Sequence, residues 1–306
     1  MMSQQPRAVC GLELWQWRNQ AIETAIAHDI LPLEVDWLLQ EIAGLDRLAL
    51  RLESFKTSTP IKMQLSLDEL EQLWQRRLHD RLPVQYIAGV TPWRFFKIAV
   101  SNAVLIPRPE TECLIDLAVV AAKNSPIEGL EQGHWADLGT GSGAIALGLA
   151  DVLTNTTIHA VDLSPEALAV AQTNAKNLGF AERIKFYQGS WWEPLKSLKC
   201  QFSGMVSNPP YIPTSTVLTL QPEVVNHEPH LALDGGVDGL DYIRHLIDIS
   251  PHYLRPGGVW LIEMMAGQAD TVRELLQNHG SYENIQIHAD LAGIERFALA
   301  CKKMIV

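Results

Sequence analysis

The stretch WADLGTGSGAIALGLADVL, residues 135–153, carries the strongest indication of the fold. A short apolar strand, residues 135–138, leads into three glycines at alternate positions, and an apolar helix follows over residues 144–153. Because Gly139, Gly141 and Gly143 have no Cβ, the backbone can turn sharply there and approach a ligand closely. The Gly-x-Gly-x-Gly spacing followed by Ala144 matches the dinucleotide-binding pattern imperfectly, and a purely structural turn remains an alternative.

Strands and helices alternate from this stretch to the carboxyl end. Such alternation predicts an α/β fold in which a mostly parallel sheet is covered by helices on both faces. The last two strands adjoin without room for a helix, so we expect them to form an antiparallel pair at the sheet edge. The seven predicted strands span residues 135–138, 158–162, 184–188, 204–207, 259–263, 282–288 and 296–301.

The amino-terminal part of the chain has a different pattern, because apolar residues recur at helical spacing from about residue 12 to residue 82. Pro32 suits the first turn of a helix that ends at Gly44. Ser66 with Glu69 three positions later predicts a capping box at the start of another amphipathic helix. Residues 1–82 are therefore predicted to form a small helical domain.

A β-hairpin is predicted to link this domain to the sheet. Residues 95–100 and 103–106 are rich in apolar and β-branched residues, and Ser101-Asn102 lies between them as a turn. We therefore expect a hairpin linker over residues 83–108 and a second domain, which carries the sheet, over residues 109–306.

Two side chains near the glycine turn indicate a nucleoside site. Asp162 ends the strand after the turn, where a carboxylate can accept hydrogen bonds from both hydroxyls of a ribose. An early helix cap is the other interpretation of Asp162. Trp191 follows the third strand, where its ring can cover an adenine face, although tryptophan more often fills a core.

The tetrapeptide Asn208-Pro209-Pro210-Tyr211 follows an apolar run over residues 202–206. An asparagine side-chain oxygen and a backbone carbonyl can hold a planar NH2 group while an aromatic ring covers its flat face. The two prolines have no N–H and restrict the residues before them to extended conformations. Together with the glycine turn, this pattern indicates methyl transfer to a nitrogen, with Asn208, Pro209 and Tyr211 as catalytic residues. A surface turn is the alternative.

Composition narrows the classes of partner and site. The formal net charge of −11 opposes long-range attraction to nucleic acid. Cys10, Cys113, Cys200 and Cys301 lie far apart without a Cys-x-x-Cys spacing, which argues against a metal site or a disulfide framework. Since the chain has neither an apolar stretch of membrane-spanning length nor a signal-peptide pattern, we expect a cytoplasmic protein that does not contact membranes.

The order of several short segments resembles the peptide chain release factor glutamine methyltransferases. The resemblance runs from about residue 83 to the carboxyl end, and the helical region before it is similar in character only. The segments are QYIAG (85–89), LIPRPETE (105–112), DLGTGSG (137–143), SNPPYI (207–212), EP (228–229), LDGG (233–236) and DGL (238–240).

This resemblance implies an S-adenosyl-L-methionine-dependent enzyme that methylates the side-chain amide nitrogen of the glutamine in the Gly-Gly-Gln motif of class I release factors. It also implies a seven-stranded Rossmann-like methyltransferase sheet, joined by a β-hairpin to a small helical domain that helps to dock the protein substrate. The substrate-binding residues would be Asn208, Pro209, Pro210 and Tyr211. The cofactor-binding residues would be Gly139, Thr140, Gly141, Ser142, Gly143, Asp162, Trp191 and Asn208.

Two other functions remain open at this point. The chain could instead be an N6-adenine or N2-guanine methyltransferase, because the exocyclic NH2 group of the base would present a similar planar donor to the tetrapeptide. The net charge and the lack of a basic, aromatic-rich segment argue against this function. A catalytically silent S-adenosyl-L-methionine-binding scaffold is suggested by Met264-Met265, which stand where the family usually has a glycine after Glu263. For Arg108 and Glu110, a salt bridge that closes the hairpin is as good an interpretation as a role in the site.

Overall fold

The computed structural model describes residues 7–58, 60–125 and 127–304, which divide into two compact units. Unit 1 comprises the chain up to Val90 together with Gln221–His227, and unit 2 comprises Thr91–Leu220 and the chain from Glu228 onward. The division falls within the predicted linker, residues 83–108, whose role as a linker stays a prediction. None of the described helices is long and apolar enough to cross a membrane.

The secondary structure is numbered in chain order. The described helices are α1 Gly11–Ala27, α2 Leu33–Ala43, α3 Arg47–Leu52, α4 Leu67–His79, α5 Val84–Ala88, α6 Cys113–Asn124, α7 Ala144–Val152, α8 Pro165–Asn177, α9 Thr214–Val217, α10 Pro222–His227, α11 Asp241–Ile249 and α12 Ala269–His279. The described strands are β1 Arg7–Val9, β2 Ile61–Met63, β3 Val90–Trp93, β4 Phe96–Ala99, β5 Gln132–Leu138, β6 Asn155–Asp162, β7 Ile184–Gln188, β8 Phe202–Ser207, β9 Leu254–Glu263, β10 Tyr282–Ala289 and β11 Glu295–Lys302.

Unit 1 is mainly helical, and its predicted helix boundaries are confirmed. Helix α2 ends at Gly44, which has φ +63° in the left-handed region that favours glycine. Helix α4 begins with the predicted capping box, since Ser66 Oγ accepts from the Glu69 backbone N–H and the Glu69 carboxylate accepts from the Ser66 backbone N–H. Strands β1 and β2 form a short antiparallel pair that the sequence pattern did not predict.

A buried arginine attaches the Gln221–His227 segment to the helices of unit 1. Arg77 is 6% exposed and donates to both Glu34 carboxylate oxygens, at 2.7 and 2.9 Å. The same guanidinium donates to Glu223 over 2.8 Å. If α10 moved away from the other helices, Arg77 would lose Glu223 as a partner for its buried charge. The ion pair therefore stabilises the position of α10 within unit 1.

Unit 2 contains a seven-stranded sheet in the order β10-β11-β9-β8-β5-β6-β7. The five strands from β9 to β7 run parallel, whereas β11 is antiparallel to both of its neighbours. All seven predicted strands and the antiparallel pair at the edge are therefore confirmed. Every residue of β8 is buried, as expected for a central parallel strand that is covered on both faces.

The hairpin is present, but its turn lies earlier in the chain than predicted. Strands β3 and β4 pair across Arg94 and Phe95, so the predicted turn at residues 101–102 and the predicted strand at 103–106 are wrong. Arg94 adopts φ +50°, and its backbone N–H donates to Glu112 Oε1 over 2.7 Å. Its guanidinium also donates to Asp116 over 3.0 Å. These contacts with residues far along the chain stabilise a turn that carries no local turn signature.

Candidate functional site

A cavity of about 300 Å³ opens in unit 2 at the carboxyl ends of four parallel strands. The loops that follow β5, β6, β7 and β8 all contribute to its wall, as expected where ligands bind in parallel α/β sheets. Its volume is sufficient for a small-molecule ligand. The predicted site residues among the lining are Gly139, Thr140, Gly141, Ser142, Asp162, Trp191, Asn208 and Pro210.

The glycine turn after β5 forms one wall of the cavity. Gly139, Gly141 and Gly143 have φ values of +78°, +53° and +84°, so the backbone there takes a conformation that other residues rarely adopt. A Cβ added at Gly141 would meet no heavy atom within 4 Å, which leaves the backbone there open to a ligand. Gly143 is not among the described lining residues; it lies against Ala171 and lets the turn pack on helix α8.

The buried carboxylate of Asp137 stabilises the glycine turn through hydrogen bonds. Asp137 is fully buried and accepts from Thr140 Oγ1 over 2.5 Å and from the Ala146 backbone N–H over 2.9 Å. Burial raises the pKa of this carboxyl to about 7, against the opposing effect of the two hydrogen bonds. Asp137 belongs to the glycine motif, but its stabilising role was not predicted.

Asp162 lies on the cavity wall and connects the first two loops. Its Oδ2 accepts from the Gly141 backbone N–H over 2.8 Å, and its Oδ1 accepts from the Ser164 backbone N–H over 2.9 Å. Burial raises the pKa of Asp162, while these backbone hydrogen bonds act in the opposite direction. Because each carboxylate oxygen has more than one lone pair, both oxygens can still accept from a ligand hydroxyl.

The two adjacent tryptophans have different environments. Trp191 adopts φ +50°, lines the cavity and packs beside Gly139, where an added Cβ would lie 3.5 Å from the indole ring. Its ring is tilted against Tyr242 at 5.4 Å. Trp192 is instead a core residue, stacked on Tyr253 at 4.6 Å. Trp191 is therefore the tryptophan that is available to a ligand.

The tetrapeptide after β8 is only partly exposed to the cavity. Asn208 and Pro210 line it, whereas Pro209 is buried and Tyr211 is partly buried, and neither is among the described lining residues. The Pro210 carbonyl passes very close to Gly235, where an added Cβ would lie 2.7 Å from its oxygen. The backbone at Gly235 therefore packs against the tetrapeptide at a distance that only glycine permits.

A hydrogen-bonded network behind the tetrapeptide was not predicted. Asn208 Nδ2 donates to Thr111 Oγ1 over 3.3 Å, and Thr111 Oγ1 donates to Glu263 Oε2 over 2.7 Å. The Tyr211 hydroxyl donates to Glu263 Oε1 over 2.9 Å. We call these four residues the Glu263 network. Thr111 belongs to the LIPRPETE segment, which was the available signal in the sequence.

Arg108 pairs with a residue that the sequence did not suggest. Its guanidinium donates to both Glu228 carboxylate oxygens, at 2.9 and 2.7 Å. The interpretation of Arg108 and Glu110 as a salt bridge that closes the hairpin is therefore wrong. Glu228 is 4% exposed, and burial raises its pKa while Arg108 opposes that rise. Arg108 lines the cavity, so this ion pair fixes part of its wall.

The two methionines after β9 do not contribute to the described lining of the cavity. Met264 is fully buried in the hydrophobic core, and its backbone N–H donates to the Arg296 carbonyl over 2.8 Å. The Met265 backbone N–H donates to Gln268 Oε1 over 2.9 Å. Neither methionine is among the described residues that line the cavity, so their bulk does not fill it.

Comparisons with known proteins place these features in context. A family model described as a methyltransferase domain matches residues 131–279. The chain is 53% identical to the release factor glutamine methyltransferase of Synechocystis sp., over 95% of this chain and 97% of that protein. It is 48% identical to the protein of that name from Thermosynechococcus vestitus, over 94% and 96% of the two chains. With the Gloeobacter violaceus protein of that name the identity is 42%, over 92% and 95%.

A solved structure shares the fold at low sequence identity. The catalytic domain of hMettl16 in complex with MAT2A 3'UTR hairpin 6 has a TM-score of 0.55 with this chain and is 16% identical. The likeness covers 77% of this chain and 81% of that chain. At this level of identity the likeness shows the Rossmann-like methyltransferase fold alone.

Proposed function

The chain belongs to the release factor glutamine methyltransferases, and from this premise we propose that it transfers a methyl group from S-adenosyl-L-methionine to a glutamine of a protein substrate. The acceptor is the side-chain amide nitrogen of the glutamine in the Gly-Gly-Gln motif of class I peptide chain release factors. One observation supports this assignment most strongly: Asn208, at the end of β8, lines the same cavity as the glycine turn after β5.

The residues of the cavity fit S-adenosyl-L-methionine as the methyl donor. When bound, this cofactor supplies an electrophilic methyl group on a positively charged sulfur. The open backbone at Gly141 permits close approach, the carboxylate of Asp162 can accept from two ribose hydroxyls, and the half-buried Trp191 offers a ring face. We assign cofactor binding to these residues together with Gly139, Thr140, Ser142, Gly143 and Asn208.

The tetrapeptide can hold the flat amide of a glutamine side chain. We assign the acceptors for its two N–H groups to Asn208 Oδ1 and the Pro209 carbonyl oxygen, and Pro210 keeps the loop rigid. Tyr211 packs beside the amide, with its hydroxyl held by Glu263. Two fixed acceptors orient the amide nitrogen and raise its electron density, which a weak nucleophile requires.

No general base is needed before the transfer. The amide nitrogen is neutral when it attacks, and its proton leaves afterwards to water. The carboxyl of Glu263 is occupied by Thr111 and Tyr211 and is 2% exposed, so we give it no role in proton removal.

A protein substrate requires a docking surface beyond the cavity that holds the glutamine side chain. We assign the docking of the release factor partly to the helical amino-terminal domain, and we place the protein in the cytoplasm, where translation takes place. All four cysteines are free thiols, which is consistent with that compartment. With a net charge of −11, direct binding of nucleic acid is not expected.

The experiment is a comparison of acceptors. The purified protein is incubated with S-adenosyl-L-methionine and either intact release factor, a release factor whose Gly-Gly-Gln glutamine is replaced, or total nucleic acid. Mass spectrometry should find one added methyl group on the glutamine of the intact factor and none on the replaced one. Methyl transfer to nucleic acid alone would support the N6-adenine or N2-guanine alternative, and cofactor binding without any transfer would support a silent scaffold.

A further inference from the structure

The Glu263 network connects both ends of the tetrapeptide to one buried carboxylate. Glu263 is 2% exposed and Thr111 is 4% exposed, so water does not compete for these hydrogen bonds. Each oxygen of the carboxylate accepts from one hydroxyl, Oε2 from Thr111 and Oε1 from Tyr211. The direction of each hydrogen bond in the network can be deduced from this arrangement.

Both carboxylate oxygens of Glu263 accept a hydrogen bond, and a threonine hydroxyl has only one proton to donate. Since the Thr111 proton lies on the short bond to Glu263, Thr111 Oγ1 can act only as an acceptor toward Asn208. Asn208 must therefore turn its NH2 group to Thr111, in agreement with the 3.3 Å contact of Nδ2. The opposite orientation would place two acceptors, Thr111 Oγ1 and Asn208 Oδ1, against each other.

This orientation decides what Asn208 presents to the cavity. A primary amide offers two N–H donors, so an asparagine that holds it must present oxygen. No described residue donates to Asn208 Oδ1, which leaves this atom available to a ligand. Were the side chain flipped, its NH2 group would face the NH2 group of the substrate, which would then keep only the Pro209 carbonyl of its two assigned acceptors.

We propose that Thr111 and Glu263 are positioning residues, which fix the Asn208 side chain with Oδ1 directed at the substrate amide. This inference rests on the proposed function and adds two residues to it. Glu263 sets the direction of the Thr111 hydroxyl, Thr111 sets the orientation of Asn208, and Glu263 also holds Tyr211. Burial raises the pKa of Glu263, and the Thr111 and Tyr211 hydroxyls and the Arg296 charge oppose that rise, against a smaller contribution from Glu110.

The first test replaces the hydroxyl of Thr111. Thr111→Val keeps the shape of the side chain but leaves Asn208 free to flip, so kcat on release factor should fall about tenfold or more. The dissociation constant for S-adenosyl-L-methionine and the thermal midpoint should change little by comparison. Thr111→Ser, which keeps the hydroxyl, should restore most of kcat. Thr156→Val, which removes a buried hydroxyl bonded to the Leu153 carbonyl at the start of β6, is the matched control.

The second test repeats Thr111→Val in an Asn208→Ala background. If Thr111 acts through Asn208, Thr111→Val should have almost no further effect on kcat in this background, because the Asn208 side-chain amide that Thr111 orients is absent. A fall in kcat of equal size in both backgrounds would overturn the proposal, and so would a Thr111→Val enzyme with wild-type kcat.

The third test does not depend on the acceptor substrate. In protein labelled with 15N at asparagine, the NH2 signals of Asn208, assigned by their loss in Asn208→Ala, should shift in both Thr111→Val and Glu263→Gln. A wild-type enzyme that does not methylate release factor would contradict the proposed function, and these signals would then decide the positioning role separately. Unchanged Asn208 signals in Thr111→Val would overturn the inference.

Discussion

Gly141 donates its backbone N–H to Oδ2 of Asp162 over 2.8 Å, and this bond joins the glycine turn after β5 to the last residue of β6. The glycine turn and the carboxylate therefore form one structure before any ligand binds. The second oxygen of Asp162 is held by the backbone of Ser164, so the carboxylate has little freedom to rotate. A site whose acceptors are fixed in advance loses less entropy on binding.

Removing the Asp162 carboxylate should weaken cofactor binding. Asp162→Ala deletes the acceptors for the ribose and the acceptor of the Gly141 N–H, so the dissociation constant for S-adenosyl-L-methionine should rise at least about tenfold. Isothermal titration calorimetry measures this constant directly. Asp151→Asn, which changes an exposed carboxylate at the end of α7, should leave it unchanged. Equal affinities for wild type and Asp162→Ala would refute the assignment of Asp162 to the cofactor.

Gly143 should tolerate a side chain less well than another glycine of similar backbone conformation. At φ +84° a Cβ would lie 3.1 Å from the Ala171 Cβ, so Gly143→Ala combines backbone strain with overpacking. We expect a loss of about 2 kcal/mol or more in the free energy of unfolding. Gly179 has φ +82°, and a Cβ added there would meet no heavy atom within 4 Å, so Gly179→Ala should cost about 1 kcal/mol. Urea denaturation distinguishes the two, and equal losses would exclude a packing role for Gly143.

A buried histidine should make the fold sensitive to acid. His159 is 1% exposed, and its ring lies 2.9 Å from His134 Nδ1 and 3.1 Å from the Tyr187 hydroxyl. Burial, with smaller effects of His134 and Lys185, lowers the pKa of His159 from 6.5 to about 4. As the pH falls from 6.5 toward about 4, the histidine of the unfolded chain binds a proton and His159 of the folded protein does not. The folded state therefore loses stability over this pH window.

The expected loss from His159 is about 2 kcal/mol at about pH 5 relative to neutral pH. Chemical denaturation at about pH 7.5 and about pH 5 measures it. His159→Gln should lose less stability between the two conditions than wild type, whereas substitution of the exposed His245 by glutamine should behave as wild type does. The same acid sensitivity in His159→Gln would show that other groups cause it.

Much of the fold could be predicted from the sequence because local signals and tertiary structure agree. The seven strands are apolar runs bounded by turns, and the capping box at Ser66 and the glycine at position 44 define helix ends through local chemistry alone. The hairpin turn was misplaced because Ser101-Asn102 has a stronger turn signature than Arg94-Phe95. The Arg94 turn depends on Glu112, which lies 18 positions away, and no local pattern contains that information.

The sequence predicts only those residues of the candidate site that belong to short continuous motifs. The glycine turn and the tetrapeptide are continuous in the sequence, so their residues could be named and placed at strand ends. The Glu263 network could not, because Thr111 lies 97 positions from Asn208 and 152 positions from Glu263. A buried carboxylate at the end of an apolar strand gives no indication of which hydroxyls it will accept from until the sheet brings them together.

The turnover of Asn208→Ala with release factor as the acceptor tests the central claim most directly. The substitution removes the side-chain acceptor for the glutamine amide and leaves the glycine turn and Asp162 intact. We predict that kcat falls by a factor of about a hundred or more, while the dissociation constant for S-adenosyl-L-methionine changes much less. Asn155→Ala, at an exposed position in β6, should retain wild-type kcat. Near-normal turnover in Asn208→Ala would contradict the account.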